Sequence, residues 1–385
     1  MLLIKNGTVK TMEGPDILGG EVLIDGGKVA AVGKNLPVPE GTEIFDAAGC
    51  IVAPGLIDGH CHIGLHEEII GAVGLDINET TSPTTPQLRA IDAINPMDEG
   101  LSEALKAGVT CAVTGPGSAN VVGGTFCAIK LFGKRVDKMV VKDPVAMKAA
   151  FGENPKRVYG SKQQSPVTRM ATAAILRALL YKARDYEEKW AAYVGGEAEK
   201  KPDFDLQLEA MRPVIRREIP LKAHAHRADD IFTALRIAKE FDLDITLDHC
   251  TDGALIADEL AEEGRPVLVG PSLGSKSKIE LANKSFETPG ILARAGLKTA
   301  IITDAPVIPL AHLPLCAGLA VRAGMDEEDA WKAVTINPAE IAGIADRVGS
   351  LAPGKDADIA VFRGNPLTDV GYQTAAVFVD GVRRV

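Results

Sequence analysis

The chain has 385 residues, of which 46% are apolar and 24% charged, and carries a net charge of −10 with a pI near 5.3. That composition excludes a disordered or low-complexity polymer and supplies enough apolar material for one large core or two modest ones. The acidic balance, with no dense Lys/Arg run interleaved with aromatics, argues against a nucleic-acid partner.

The opening MLLIKNGTVKTM breaks into polar residues too early for a signal peptide, and no stretch reaches the roughly 18 apolar residues of a membrane span. The six cysteines stand singly, with no CxxC pair, as reduced thiols do. The expectation is a cytoplasmic protein with a small-molecule substrate and neither a membrane nor a nucleic acid as partner.

Residues 1–53 alternate short Val/Ile-rich runs with Gly turns (LLIKNGTV, GGEVLIDGGKVAAVG, TEIFDAAGCIVAP), which predicts antiparallel strands. Residues 348–385 repeat the pattern and its V-DG hairpin signal in AVFVDGVRRV. Neither end has strands enough to stand alone, so both are expected to pair into one β-sandwich domain.

Between them, residues 54–347 alternate β-type runs with amphipathic helical stretches: GVTCAVTG after MDEGLSEALKA, LKAHAHR before DDIFTALRIAKEF, DITLDHC before ALIADELAEE, and KTAIITDAP before a helical run ending near Ala323. Repeated β-then-α units predict a parallel sheet, and the length is near the roughly 250 residues of a (β/α)8 TIM barrel. An open doubly wound sheet fits the alternation almost as well. The barrel is favoured because candidate functional residues fall at the ends of many strands, as a barrel rim requires. Lys189 to Asp205 reads as an exposed loop insertion.

His60 and His62 lie one residue apart in GLIDGHCHIG, so in a strand they share a face while Cys61 points into packing. An HxH pair alone is weak evidence for a metal. Of the seven histidines, however, His60, His62, His224, His226 and His249 fall in three strand-end motifs, and Asp304 ends a later strand in AIITDAP. Imidazole and carboxylate converging on one rim suit zinc or a neighbouring divalent metal with an open position for water. His66 and His312 do not fit the pattern, and the unit ending in PVLVG offers no titratable residue at its tip.

PGLIDGHCH, the strand-end histidines, TDAP and the closing AVTINPAEIAG...DRVGSLAPGKDADIAVF together resemble the metal-dependent amidohydrolase superfamily, in particular its imidazolonepropionase-like and peptidase branch. The resemblance implies a (β/α)8 barrel with a β-sandwich from both chain ends. It implies that His60 and His62 with Asp304 hold one metal, that His224 and His249 hold a second, and that a carboxylated lysine or a glutamate bridges them. In VAMKAAFGENPK the bridge is expected at Glu153, with Lys148 and Lys156 as alternatives; a mononuclear site remains open. The family pattern aligns His224 with the ligand position and leaves His226 as a substrate contact or alternative ligand.

The implied reaction is hydrolysis of an amide or cyclic amide, with Asp304 as general base and acid and His249 or His226 polarising the carbonyl. Dipeptides and N-acyl amino acids are alternative substrates. Deaminases of the superfamily place a glutamate three residues after the strand-end histidine, where this chain has Arg227, so a deaminase is less expected. Arg227, with Lys162, Arg169, Lys276 and Lys278, is a candidate for binding a substrate carboxylate. A metal-free scaffold is the non-catalytic alternative. The cofactor expected is one or two divalent ions, zinc or else manganese or iron, in what relatives suggest is a homo-oligomer.

Overall fold

The computed structural model describes residues 1–68 and 71–385. Five strands open the chain: β1 (Leu2–Val9), β2 (Ile17–Asp25), β3 (Lys28–Gly33), β4 (Glu43–Asp46) and β5 (Cys50–Pro54). Eight lie in the middle: β6 (Leu56–Cys61), β7 (Val109–Thr114), β8 (Val122–Lys130), β9 (Val140–Ala150), β10 (Leu221–Ala225), β11 (Ile245–His249), β12 (Val267–Val269) and β13 (Thr299–Ile301). Three close it: β14 (Ile359–Arg363), β15 (Gln373–Val379) and β16 (Val382–Arg383).

The terminal strands join in one sheet, β16-β15-β14-β5-β1-β2-β3, with β4 also paired to β1. The two chain ends meet where β14 runs antiparallel to β5, Ile359 opposite Pro54 and Arg363 opposite Cys50. Both DG signals form hairpins, β2 with β3 and β15 with β16. Ile4, Val22, Val52, Ile359, Val361 and Phe378 give this sheet an apolar core of its own.

The middle strands form a second eight-stranded sheet in chain order, so the fold is mixed α/β around a nearly closed barrel. The expected strict β-then-α alternation fails at one place: β8 runs antiparallel to both β7 and β9. The seven residues 115–121 between β7 and β8 explain it, because a parallel return needs a crossover of about a dozen residues or more. Elsewhere the neighbours are parallel, with intervening helices such as Ala228–Phe241 and Ala257–Glu263.

The expected loop at Lys189–Asp205 is helical in its first part, since the Arg169–Val194 helix extends into it. No helix among the described residues is long and apolar enough to cross a membrane. All six cysteines are buried and unbridged.

No ladder joins β6 to β13, and side-chain bonds close the gap instead. The buried carboxylate of Asp58 accepts from the Thr303 amide at 2.9 Å and the Thr303 hydroxyl at 2.5 Å, and its other oxygen accepts from the His60 amide at 2.9 Å. The His62 amide donates to the Ala305 carbonyl at 2.7 Å. The ends of the first and last barrel strands, where the HxH pair and Asp304 stand, are thereby brought side by side.

Candidate metal centre

His60 and His62 sit at the end of β6 in i, i+2 register, and both rings turn into the barrel beside Asp304. Asp304 Oδ1 lies 3.4 Å from His60 Nε2 and 3.2 Å from His62 Nε2. A second group, His224, His226 and His249, gathers at the ends of β10 and β11. In each group the potential ligand atoms all lie within 4.8 Å of one another. The groups adjoin, with ring centroids of His60 and His249 5.2 Å apart and those of His224 and His249 4.4 Å apart.

Backbone conformation makes this convergence. Asp248 and His249 are consecutive and would face opposite ways in a regular strand. His249 adopts φ +75° and Cys250 φ +45°, which turns the imidazole into the barrel while Asp248 stays inside it. Asp304 likewise has φ +55°. Such left-handed positions at non-glycine residues carry strain of the kind concentrated at functional sites.

The outer nitrogens are tied down. His62 Nδ1 is 2.7 Å from the Gly115 carbonyl, His249 Nδ1 2.6 Å from the Gly270 carbonyl, and His226 Nδ1 2.7 Å from the Thr251 hydroxyl. These contacts aim each Nε2 at the centre, as outer hydrogen bonds do for metal-ligating histidines. His249 Nε2 is buried with no hydrogen-bond partner at all.

Burial is also the leading reason that His60, His224 and His226 have depressed pKa values and that His249 falls to about 3. The rings are therefore neutral at neutral pH, the state a metal requires. Burial would raise the Asp304 pKa, yet its contacts with His249, His60 and His62 outweigh burial and hold it well below the carboxylate range. An orphaned inward nitrogen, neutral imidazoles and an ionised carboxylate make a donor set that fits a divalent transition metal.

Lys148, on β9, reaches the first group from the barrel interior. Its fully buried Nζ is 3.4 Å from His60 Nε2 and 3.8 Å from Asp248 Oδ2. Glu153 is not brought into either cluster. The strand ends at Ala150, and the chain turns at Gly152 with φ +78°, where a Cβ would meet the Glu280 carboxylate at 2.8 Å. Glu153 thus starts a helix, its amide donating to Glu280 Oε2 at 2.9 Å. Lys156 lies further along the same helix.

Arg227 precedes the Ala228–Phe241 helix and pairs with Asp229 at 3.0 Å. Arg169 pairs with Asp230 at 3.0 Å and Lys162 with the Thr80 carbonyl at 2.6 Å. A search confined to strand tips overlooks Glu280 and the place of Lys278 beside it, because both lie well past the tip of β12. Lys278 Nζ is 3.0 Å from Asn154 Oδ1 and 3.2 Å from Glu280 Oε1. Asn154 reaches His224 Nε2 at 3.5 Å, and Glu280 stands 3.7 Å from His226 Nε2. Lys222 and Asp248 also escape a search for histidines, although period two from His224 places Lys222 on the same interior face.

A family model described as the Amidohydrolase family matches residues 51–384. The chain belongs to the amidohydrolase family. The solved structure of an amidohydrolase from Thermotoga maritima MSB8 has a TM-score of 0.95 and 43% identity, over 100% of this chain and 99% of its own. The amidohydrolase tasK of Hapsidospora irregularis is 30% identical over 94% of this chain. Adenine deaminase 1 of Latilactobacillus sakei subsp. sakei (strain 23K) is 25% identical over 93%. The alignments span 39% and 54% of the lengths of those two curated relatives.

Proposed function

We propose that this amidohydrolase-family chain is a metal-dependent hydrolase of C–N bonds in linear or cyclic amides. The observation that carries the reading is the pair of adjoining ligand groups with the buried Lys148 beside His60. His60, His62 and Asp304 would hold one divalent ion. His224 and His249 would hold a second, with His226 a further ligand or a substrate contact. Lys148 takes the bridging place expected of Glu153. A lysine bridges two cations only as a carbamate, which forms from the uncharged amine. Burial, opposed by Asp248, lowers the Lys148 pKa to about 8, so an appreciable uncharged fraction exists near neutral pH.

When bound, the ions supply Lewis acidity and lower the pKa of water from about 15.7 to about 7. Zinc suits the donors best, and manganese or iron is also accepted. Asp304, ionised and aimed inward, accepts the proton of the attacking water and delivers it to the leaving nitrogen. His226 can polarise the carbonyl as charge develops on its oxygen. Residues 54–347 carry this chemistry as a barrel domain, and residues 1–53 with 348–385 support it as a β-sandwich domain. The same reading assigns a small-molecule substrate, a cytoplasmic setting and a homo-oligomer.

The test is a zinc-reconstituted screen of N-acyl amino acids, dipeptides and cyclic amides. Turnover is expected, and Asp304→Asn should lower kcat by about 10²–10⁴-fold with metal retained. Near-normal turnover in Asp304→Asn would rule the mechanism out. Deamination is the second reading, favoured by the likeness to an adenine deaminase and by Glu280, placed to donate the proton that Arg227 cannot. Ammonia release from adenine in the same screen would select it. A non-catalytic scaffold is disfavoured because every histidine position and Asp304 are kept.

A further inference from the structure

Behind the ligand groups lies a buried ion pair that this chemistry leaves unused. Lys222 Nζ is 3.1 Å from Asp248 Oδ1, the two side chains 3% and 0% exposed. Lys222 is two residues before His224 on β10, and the sheet register sets it beside Lys148 while His224 stands beside Asp248. The other oxygen of Asp248 is 2.9 Å from His60 Nδ1. That approach is close without being aligned as a hydrogen bond, and neither atom has another hydrogen-bond partner.

His60 differs in this from its neighbours. His62 and His249 rest on backbone carbonyls and His226 on a threonine hydroxyl, whereas His60 has a carboxylate behind it. A lone pair on Nδ1 facing that carboxylate would set two acceptors against each other in a dry interior, which is costly. A proton on Nδ1 removes the conflict and leaves the Nε2 lone pair facing the site, where Lys148 Nζ stands 3.4 Å away as a donor. Asp304 Oδ1, a second acceptor at the same distance, is reconciled with that lone pair by a cation between them. Asp248 can hold the ring so only if its own orientation is fixed. In the apoprotein, before any carbamate forms, Lys148 3.8 Å away offers Asp248 a competing donor, and Lys222, bonded to the opposite oxygen, keeps Oδ2 on His60.

We propose that Lys222 is a positioning residue: through Asp248 it fixes His60 as the Nδ1–H tautomer and presents Nε2 to a divalent cation. The proposal rests on the reading of His60 as a metal ligand. Outer partners of this kind change metal affinity about 10–100-fold when removed.

The test measures zinc affinity of the apoprotein by chelator competition for the wild type, Lys222→Met, Asp248→Asn and the double variant, with a thermal melt of each apoprotein as the folding control. Lys222→Met should bind zinc about 10–100-fold more weakly. The double variant should be no worse than the poorer single, since Lys222 acts only through Asp248. Wild-type affinity in a folded Lys222→Met, or losses that multiply in the double variant, would overturn the proposal. If Lys222→Met does not fold, ¹⁵N-histidine NMR of the wild-type apoprotein decides: His60 protonated at Nδ1 supports it, and protonation at Nε2 overturns it. A wild type that takes up no zinc refutes the metal reading instead, and the tautomer still decides whether Asp248 sets the ring.

Discussion

Asp58 shows how one side chain can do the work of a missing ladder. Its carboxylate accepts from both amide and hydroxyl of Thr303 and from the amide of His60, all buried. Burial raises its pKa to about 6 in spite of those bonds. Asp58→Ala would leave three donors without partners in the interior, which should cost about 3 kcal/mol or more. Asp58→Asn, which keeps an accepting oxygen, should cost less. Urea denaturation measures both, and a loss below about 1 kcal/mol for the alanine variant would mean that the barrel closes without this residue. The histidine pattern is legible because period two and strand ends are sequence properties. Asp58 and Asp248 are not, because Thr303 is 245 residues from Asp58, because Lys222 and His60 lie on strands other than that of Asp248, and because positive φ at His249 breaks the alternation by which sequence is read. Glu153 stands outside both ligand groups for a related reason: it sits beyond a turn at Gly152 that no periodicity announces.

At the scale of elements, the barrel is pinned to the terminal sheet by Lys130 of β8. Its buried ammonium is 2.8 Å from Asp356 and 3.0 Å from Asp358, and it also contacts Asp380. Asp356 is also reached by Arg347 at 2.8 Å and by Lys28 at 2.5 Å. Burial works against the Asp356 carboxylate, but these cations hold its pKa at about 2. A depressed carboxylate stabilises the fold above its unfolded pKa, and that stability is lost as pH falls from about 4 towards 2. Asp358 acts in the opposite sense: burial lifts it to about 6, so its share of stability rises as pH drops from about 6 to 4. Asp356→Asn should therefore lose on the order of 2 kcal/mol at neutral pH and progressively less below about pH 4. Urea midpoints at several pH values read this as a difference from wild type; an equal deficit at pH 7 and pH 2 would refute it. The terminal strands and their hairpins are readable from turn chemistry. The reversal of β8 comes from a loop length that the β-then-α pattern conceals.

For the whole molecule, the two sheets have different tasks. The terminal sheet brings both chain ends together, and the barrel brings residues from β6, β9, β10 and β11 and from the loop after β13 to one interior point. That point gathers neutral imidazoles, an ionised Asp304 and a lysine with a lowered pKa, the protonation states that a pair of bridged divalent ions requires. The measurement that bears most directly on this is the metal-to-chain ratio after reconstitution with zinc and bicarbonate, followed by dialysis. About two ions per wild-type chain, falling to one or none in Lys148→Ala, is the expected result. A wild-type chain that retains no transition metal, or a Lys148→Ala variant that retains as much as the wild type, would contradict the assignment of a bridged binuclear centre.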